Sequence, residues 1–525
     1  MKRLGSTTSG VVANLAAQGF PFLLLLFVTP ILLRSLGREV YGALILFSLV
    51  PTIAGQLDLG IVTAGTRAFA YFSAHGDHDG ARRVVRETLA ILCMWGTLLA
   101  IVFYASRGAI ADGLQLVEVT RDHAAVFIVA AFSIPLALIN GAALIPLRAV
   151  EQYGRVARIQ IIGGIAHWTL YAVGASNGAT LTQLVLLGTV IVAITNIALF
   201  VTARRYASAN AGSPQTWIGA SHDASAAFAI GDVTPVVSQS ALRLRPFFGV
   251  GAATFVAQAS SLATYHADKL IISAIVSPAA AGAYAICANI ANKILQVVLS
   301  GATYTFPRVT KLHAVGDVEA VTQTFVTATR FALMIAISFA VPLIALAPAF
   351  LRIWIGADFS RAYALALQLL VAGYAINASS VVASNVAIGI GEARMPAIFA
   401  TLGGVVTIVA LTVLAPRFGA TGAALAAAIG MSQALIFNHL LARKLGGSAR
   451  AASWPLMLRL LSVALPVGLL TAAVSSIVEG WLTLIALGGA ASLLFLGIWL
   501  ASFGRGEERI LLDQLIRRAR GKRNT

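Results

Sequence analysis

Acidic side chains are scarce in this sequence, with 20 Asp and Glu among 525 residues, and charge of either sign makes up only 11% of it. Ordinary soluble domains are about a quarter charged, so a water-exposed globule of this length is excluded. Cysteine is nearly absent. The two present, Cys93 and Cys287, both fall inside apolar stretches, which excludes a disulfide framework and a thiolate metal cluster. No GxxxxGK[ST] stretch occurs, and the Gly-Lys pair at 521–522 lies in the basic C-terminal tail, so a phosphate-cradling ATPase loop is missing. No polar segment is long enough to form a separate catalytic domain.

What the chain has instead is apolar length. It is 58% hydrophobic, with a mean hydropathy of +0.86. A helical membrane span needs about 20 apolar residues, whereas a β-barrel strand shows only about ten in alternation. Apolar stretches occur near 10–33, 40–62, 88–105, 124–147, 159–174, 181–203, 247–276, 281–306, 327–349, 362–390, 396–415, 420–442, 456–477 and 481–503. The expectation is an all-α polytopic membrane protein with about fourteen transmembrane helices, here called spans 1 to 14. The first run follows Met-Lys-Arg as a signal peptide would, but its length and the lack of a cleavage site make it span 1.

Sidedness follows from Lys and Arg in the connections. With the N-terminus inside, the inner segments carry basic residues such as Lys2, Arg3, Arg82, Arg83, Arg86, Arg308, Lys311, Arg330, Arg443 and Lys444, and seven more in the tail. The outer ones carry only Arg34, Arg38, Arg107, Arg121, Arg352, Arg361 and Arg417. Both termini are therefore expected in the cytoplasm. The same asymmetry accounts for the net charge of +17 without nucleic acid as a partner.

The two halves repeat. Ala-Gln at 17–18 recurs at 257–258, HGD at 75–77 aligns with VGD at 315–317, NGAT at 177–180 with FGAT at 418–421, and ARR at 203–205 with ARK at 442–444. The offsets stay within one residue of 240. Six spans per repeat is an even number, so both copies have one orientation and are related by an axis along the membrane normal, as in transporters built from parallel repeats. The expected organisation is an N-terminal lobe over 1–205, a cytoplasmic linker over 206–246, a C-terminal lobe over 247–445, extra helices over 446–503, and a basic amphipathic tail over 504–525 lying on the inner leaflet.

Polar residues inside spans are costly and mark function or pairing. In span 8, Asn289, Lys293, Gln296 and Ser300 are spaced four, three and four and share a helical face, with Asn292 beside it. Span 7 supplies Asp268 and Lys269 at about the same depth as Asn289. Two readings stay open: Asp268 pairs with a lysine or an asparagine and glues helices together, or Lys269 and Lys293 line a wet cavity that attracts an anion, with Asp268 positioning them or taking a proton. In the first half, Asn14 and Gln18 share a face of span 1, Thr52 and Gln56 share one of span 2, and Arg34 ends span 1. HGDHD at 75–79 reads as a solvated inner turn rather than a metal site, and no metal or cofactor is expected.

LGREVYG (36–42), DLGI (58–61), DKLII (268–272), GAYAICANI (282–290), GEARMPA (391–397) and GATGAALAAAIG (419–430), in that order, resemble the polysaccharide transporter family of O-antigen and exopolysaccharide flippases. That family belongs to the multidrug/oligosaccharidyl-lipid/polysaccharide (MOP) exporter superfamily, with the lipid II flippases and the MATE drug exporters. The resemblance runs from about residue 5 to 445. It implies a bilobed, V-shaped bundle in a bacterial inner membrane that moves an undecaprenyl-pyrophosphate-linked oligosaccharide to the outer leaflet. It also implies a polysaccharide polymerase and a chain-length regulator as partners. A cationic central cavity is implied too, for which Lys293, Lys269, Asn289, Gln296, Arg34, Asn14 and Gln18 are the candidate lining residues, with Asp268 the candidate for cation coupling. The alternatives are a lipid II flippase and a MATE-like cation-coupled drug exporter. The latter would want cavity carboxylates, yet only Asp58 and Asp268 lie clearly within spans.

Overall fold

In a computed structural model, residues 2–149, 153–209, 266–302, 305–452 and 454–503 are described, and among them the regular structure is helical throughout. Residues 210–246 of the expected linker over 206–246, most of span 7 and the tail over 504–525 lie outside the described residues.

The helices run α1 (Lys2–Gln56), α2 (Ile61–Ala74), α3 (His78–Ala105), α4 (Arg107–Gly113), α5 (Val117–Arg121), α6 (Ala125–Ala149), α7 (Tyr153–Ser176) and α8 (Leu181–Ala209). They continue as α9 (Ala267–Ile275), α10 (Pro278–Ala302), α11 (Thr305–Ala314), α12 (Val318–Ala345), α13 (Ala347–Trp354), α14 (Ala357–Gly389), α15 (Arg394–Met431), α16 (Gln433–Leu445), α17 (Trp454–Ala473) and α18 (Trp481–Phe503). Ten described helical segments are long and apolar enough to cross a membrane. Two of them, Leu24–Gln56 and Arg394–Leu445, bend at Gly37 and Gly419 and hold two expected spans each. The protein is a polytopic all-α membrane protein.

Span 2 departs from the expected 40–62. The helix stops at Gln56 and restarts at Ile61, because Asp58 accepts from the backbone N–H of Gly60 at 3.0 Å and of Val62 at 3.3 Å. A short acidic side chain that bonds its own backbone competes with the helical ladder. Leu59 and Gly60 take φ of 54° and 74°, and the freed carbonyl of Leu57 accepts from Trp95 Nε1 at 2.8 Å. In span 8, the carbonyl of Ala302 accepts from Asn385 Nδ2 at 3.0 Å.

The aligned turns share one geometry. Gly76 and Gly316 take φ of 73° and 74°, a left-handed conformation natural to glycine. The following Asp77 and Asp317 cap α3 and α12 by accepting from Gly80 N (2.7 Å) and Ala320 N (2.9 Å). Both helices are 28 residues long. A buried polar bridge also recurs: Asn140 Nδ2 donates to Asn196 Oδ1 at 2.6 Å between α6 and α8, and Asn438 Nδ2 to Ser379 Oγ at 2.8 Å between α16 and α14.

The chain divides into two compact units, Met1–Ala285 with Leu411–Ala420, and Ile286–Ala410 with Thr421–Thr525. In the first, Val62 and Phe69 of α2, Leu92 of α3 and Leu138 and Ile145 of α6 form a buried apolar cluster. In the second, α17 and α18 pack on α12 through Leu333, Ile337, Leu460, Val463, Phe495 and Trp499. Ser492 Oγ donates to Ser338 O at 2.8 Å, and Arg352 Nη2 to Val478 O at 2.7 Å. The extra helices are thus built into the second unit.

Candidate functional site

Most helices that expose side chains expose apolar ones. On α3, Met94, Leu98 and Ile101 are 71%, 50% and 61% exposed, and on α18 Leu482 and Ile485 are 83% and 68% exposed. Those stripes suit lipid. α10 differs. Ala280, Ala281 and every residue from Ala283 to Ala288 are buried; the half-buried positions that follow are Asn289, Asn292, Lys293, Gln296 and Val297, with Leu299 and Gly301 exposed beyond them. At spacings of three, one, three and one the five half-buried positions form one stripe, polar at four of them. The amides of Asn289, Asn292 and Gln296 make no hydrogen bond to another described residue. Unsatisfied amides beside an ammonium in a low-dielectric setting form a face that favours hydroxyls and anionic oxygens. Ser300, the fourth member of the predicted stripe, is buried and donates to Gln296 O at 2.9 Å, so it is not part of the accessible face.

Asp268 and Lys269 pair with each other. Asp268 Oδ1 accepts from Lys269 N at 2.8 Å and from Lys269 Nζ at 2.9 Å, with the two residues 7% and 8% exposed. Lys269 Nζ also lies 5.8 Å from the Tyr284 ring centroid. Asp268 sits in the first turn of α9, where the helix dipole favours a carboxylate. Lys269 is therefore a buried partner, whereas Lys293 stands on an accessible stripe.

The remaining predicted residues are dispersed. Arg34 is exposed on α1, three residues before the Gly37 bend. Asn14 and Gln18 belong to α1, with side chains outside the described set. Gln56, half-buried at the end of α1, has no hydrogen-bond partner among the described residues, while Thr52 donates to Ser48 O at 3.2 Å. Gln56 stands 240 residues before Gln296, the repeat offset itself. That correspondence was available in the sequence, through the repeat rather than through any motif. The carboxylate of Asp58 is taken up by the helix break, and among the described residues no group of His, Cys, Asp and Glu could hold a metal ion.

These features define a multi-pass helical membrane protein with a polar, half-buried face on α10. No protein-family model and no curated protein matches the sequence. The fold is nevertheless shared with solved transporters of the MOP superfamily. The lipid II flippase MurJ in an inward closed conformation superposes with a TM-score of 0.68 at 13% identity, covering 94% of this chain and 100% of that one. An inward-facing multidrug resistance MATE transporter of the MOP superfamily gives 0.62 at 15% identity, over 83% of this chain and 98% of that one. A MOP superfamily transporter from Pyrococcus furiosus, described as having a binding pocket of reverse polarity, gives 0.53 at 17% identity, over 84% and 95%. At these identities the likeness is one of fold.

Proposed function

We propose that this chain is a flippase that carries undecaprenyl-pyrophosphate-linked oligosaccharide repeat units from the inner to the outer leaflet of a bacterial cytoplasmic membrane, for surface polysaccharide synthesis. The observation that carries the reading is the stripe on α10, where Lys293 is flanked by Asn289, Asn292 and Gln296 on a half-buried helical face. A lipid-linked glycan needs an ammonium for its pyrophosphate and amides for its sugar hydroxyls, while its polyprenyl tail stays in lipid. An inside-negative potential favours outward movement of anions by about 2.3 kcal/mol per charge per 100 mV.

In this reading the repeats over 1–205 and 247–445 are the two lobes, both termini are cytoplasmic, and a polymerase and a chain-length regulator receive the product. Asp268 is the group that answers a coupling cation, which would compete with Lys269 for the same carboxylate oxygen. A second reading, lipid II as the substrate, is favoured by the coverage: the solved lipid II flippase matches 94% of this chain and the MATE transporter 83%.

Deleting the gene and measuring both surface polymer and undecaprenyl-linked glycan separates them. Lost polymer with accumulated lipid-linked repeat unit supports the proposal. Intact polymer with accumulated lipid II and cell lysis transfers the chain to the second reading. Intact polymer with new sensitivity to cationic drugs points to export of drugs instead.

A further inference from the structure

The exposed flanks of α17, in the second compact unit, are not alike. Leu458, Leu461, Leu465 and Leu469 form an apolar stripe at spacings of three, four and four, which suits bulk lipid. A second exposed stripe runs beside it at the same spacings, through Arg459, Ser462, Pro466 and Leu470. This one opens on a cation and becomes apolar within a turn. Ser462 Oγ is turned back onto Arg459 O at 2.7 Å, and Pro466 and Leu470 carry no polar side-chain atom. Arg459 and Leu470 stand eleven residues apart, about 16 Å along a helix. That is about one leaflet's share of the hydrocarbon core.

Arg459 is placed to hold an anion. Its guanidinium stands 5.9 Å from the ring centroid of Phe503, the last residue of α18, so an aromatic ring backs it while its fork of N–H groups stays available. Among the described residues no carboxylate pairs with it. Within the same unit Asp317 caps α12, Glu319 accepts from Gln323 Nε2 at 3.4 Å, and Glu392 accepts from Lys444. Trp454, five residues earlier and 48% exposed, sits where an indole ring settles at headgroup level. Arg459 is rooted about 7.5 Å deeper, and its side chain leans back toward the helix N-terminus, which brings the guanidinium up to the level of lipid phosphates. A cation rooted at that depth is costly unless an anion meets it.

We propose that this flank of α17 is a binding site for an anionic phospholipid. The lipid phosphate takes the Arg459 guanidinium in a bidentate pair, and an acyl chain lies along Pro466 and Leu470. Phe503 covers the other face of the guanidinium, so the bound lipid ties the start of α17 to the end of α18 and stabilises the appended pair. In the orientation proposed above, the leaflet that supplies it is the inner one, where anionic lipid is abundant. The inference takes that orientation from the carrier reading and nothing from the identity of the cargo.

The test uses the full chain, purified in neutral detergent and stripped of lipid, and needs no cargo. Native mass spectrometry counts bound lipid over a titration with phosphatidylglycerol, with phosphatidylcholine as the uncharged reference, and thermal unfolding is followed in parallel. The wild type should retain phosphatidylglycerol and unfold at a higher temperature with it, and phosphatidylcholine should give neither effect. Arg459→Gln should bind phosphatidylglycerol about fivefold more weakly and lose the thermal gain. Arg459→Lys, which keeps the charge without the fork, should retain part of both. Arg82→Gln, at an exposed arginine of the other unit, should behave as the wild type. Equal retention by the wild type and Arg459→Gln overturns the site. An equal loss in Arg82→Gln also overturns it, because the attraction would then be spread over the surface charge. The same thermal gain from inorganic pyrophosphate alone overturns a lipid as the occupant.

Discussion

Arg330 donates through Nη2 to the backbone carbonyl of Phe503 at 2.9 Å, and its guanidinium lies 5.5 Å from the Trp499 ring. A cation thus meets a carbonyl in the last described turn of α18 from inside α12, where Arg330 is only 5% exposed. Its counting among the inner connections is corrected by this position: it lies within a helix and fastens the appended pair.

Replacing Arg330 with methionine should therefore loosen α18 against α12. A hydrogen bond from a charged donor contributes about 1.5–3 kcal/mol, and the loss is expected in that range. Thermal unfolding of the detergent-solubilised protein reads it, with Arg330→Lys falling between the two, because lysine keeps the charge and loses the planar stack.

The Asp268–Lys269 pair should show strong coupling. Removing one member leaves the other charge buried, at a cost of about 3–5 kcal/mol, so Asp268→Asn and Lys269→Met should each be markedly destabilised. The double variant should recover most of the loss. A double-mutant cycle by unfolding in micelles checks this, and additive losses would show that the two side chains do not depend on each other.

The capping aspartates should behave as equivalents. Asp77→Ala and Asp317→Ala each remove a cap from a 28-residue helix entered by the same turn, and each should cost about 0.5–2 kcal/mol. Two similar losses, measured by equilibrium unfolding, are the expected result.

How much of this was legible beforehand depends on distance along the chain. The apolar runs placed thirteen of the fourteen spans on helices that the structure describes, and four short matches located the repeat whose turns at Gly76 and Gly316 coincide in backbone conformation. The polar stripe of span 8 was legible because a 3.6-residue period needs only local spacing. The break at 57–60 was not, since Asp58 sits in an apolar run and only its bonds to Gly60 and Val62 reveal the turn. The partner of Arg330 lies 173 residues away, and no local pattern announces it. Whether Asp268 met Lys269 or another group was a matter of rotamers, which composition does not encode.

The most direct measurement is the transfer rate of an undecaprenyl-pyrophosphate-linked oligosaccharide across proteoliposomes containing the wild type, Lys293→Arg or Lys293→Glu at equal protein levels. The account predicts near wild-type transfer for the arginine variant and a loss of at least tenfold for the glutamate variant, because a carboxylate on that stripe repels the pyrophosphate. Transfer by Lys293→Glu at the wild-type rate would contradict it.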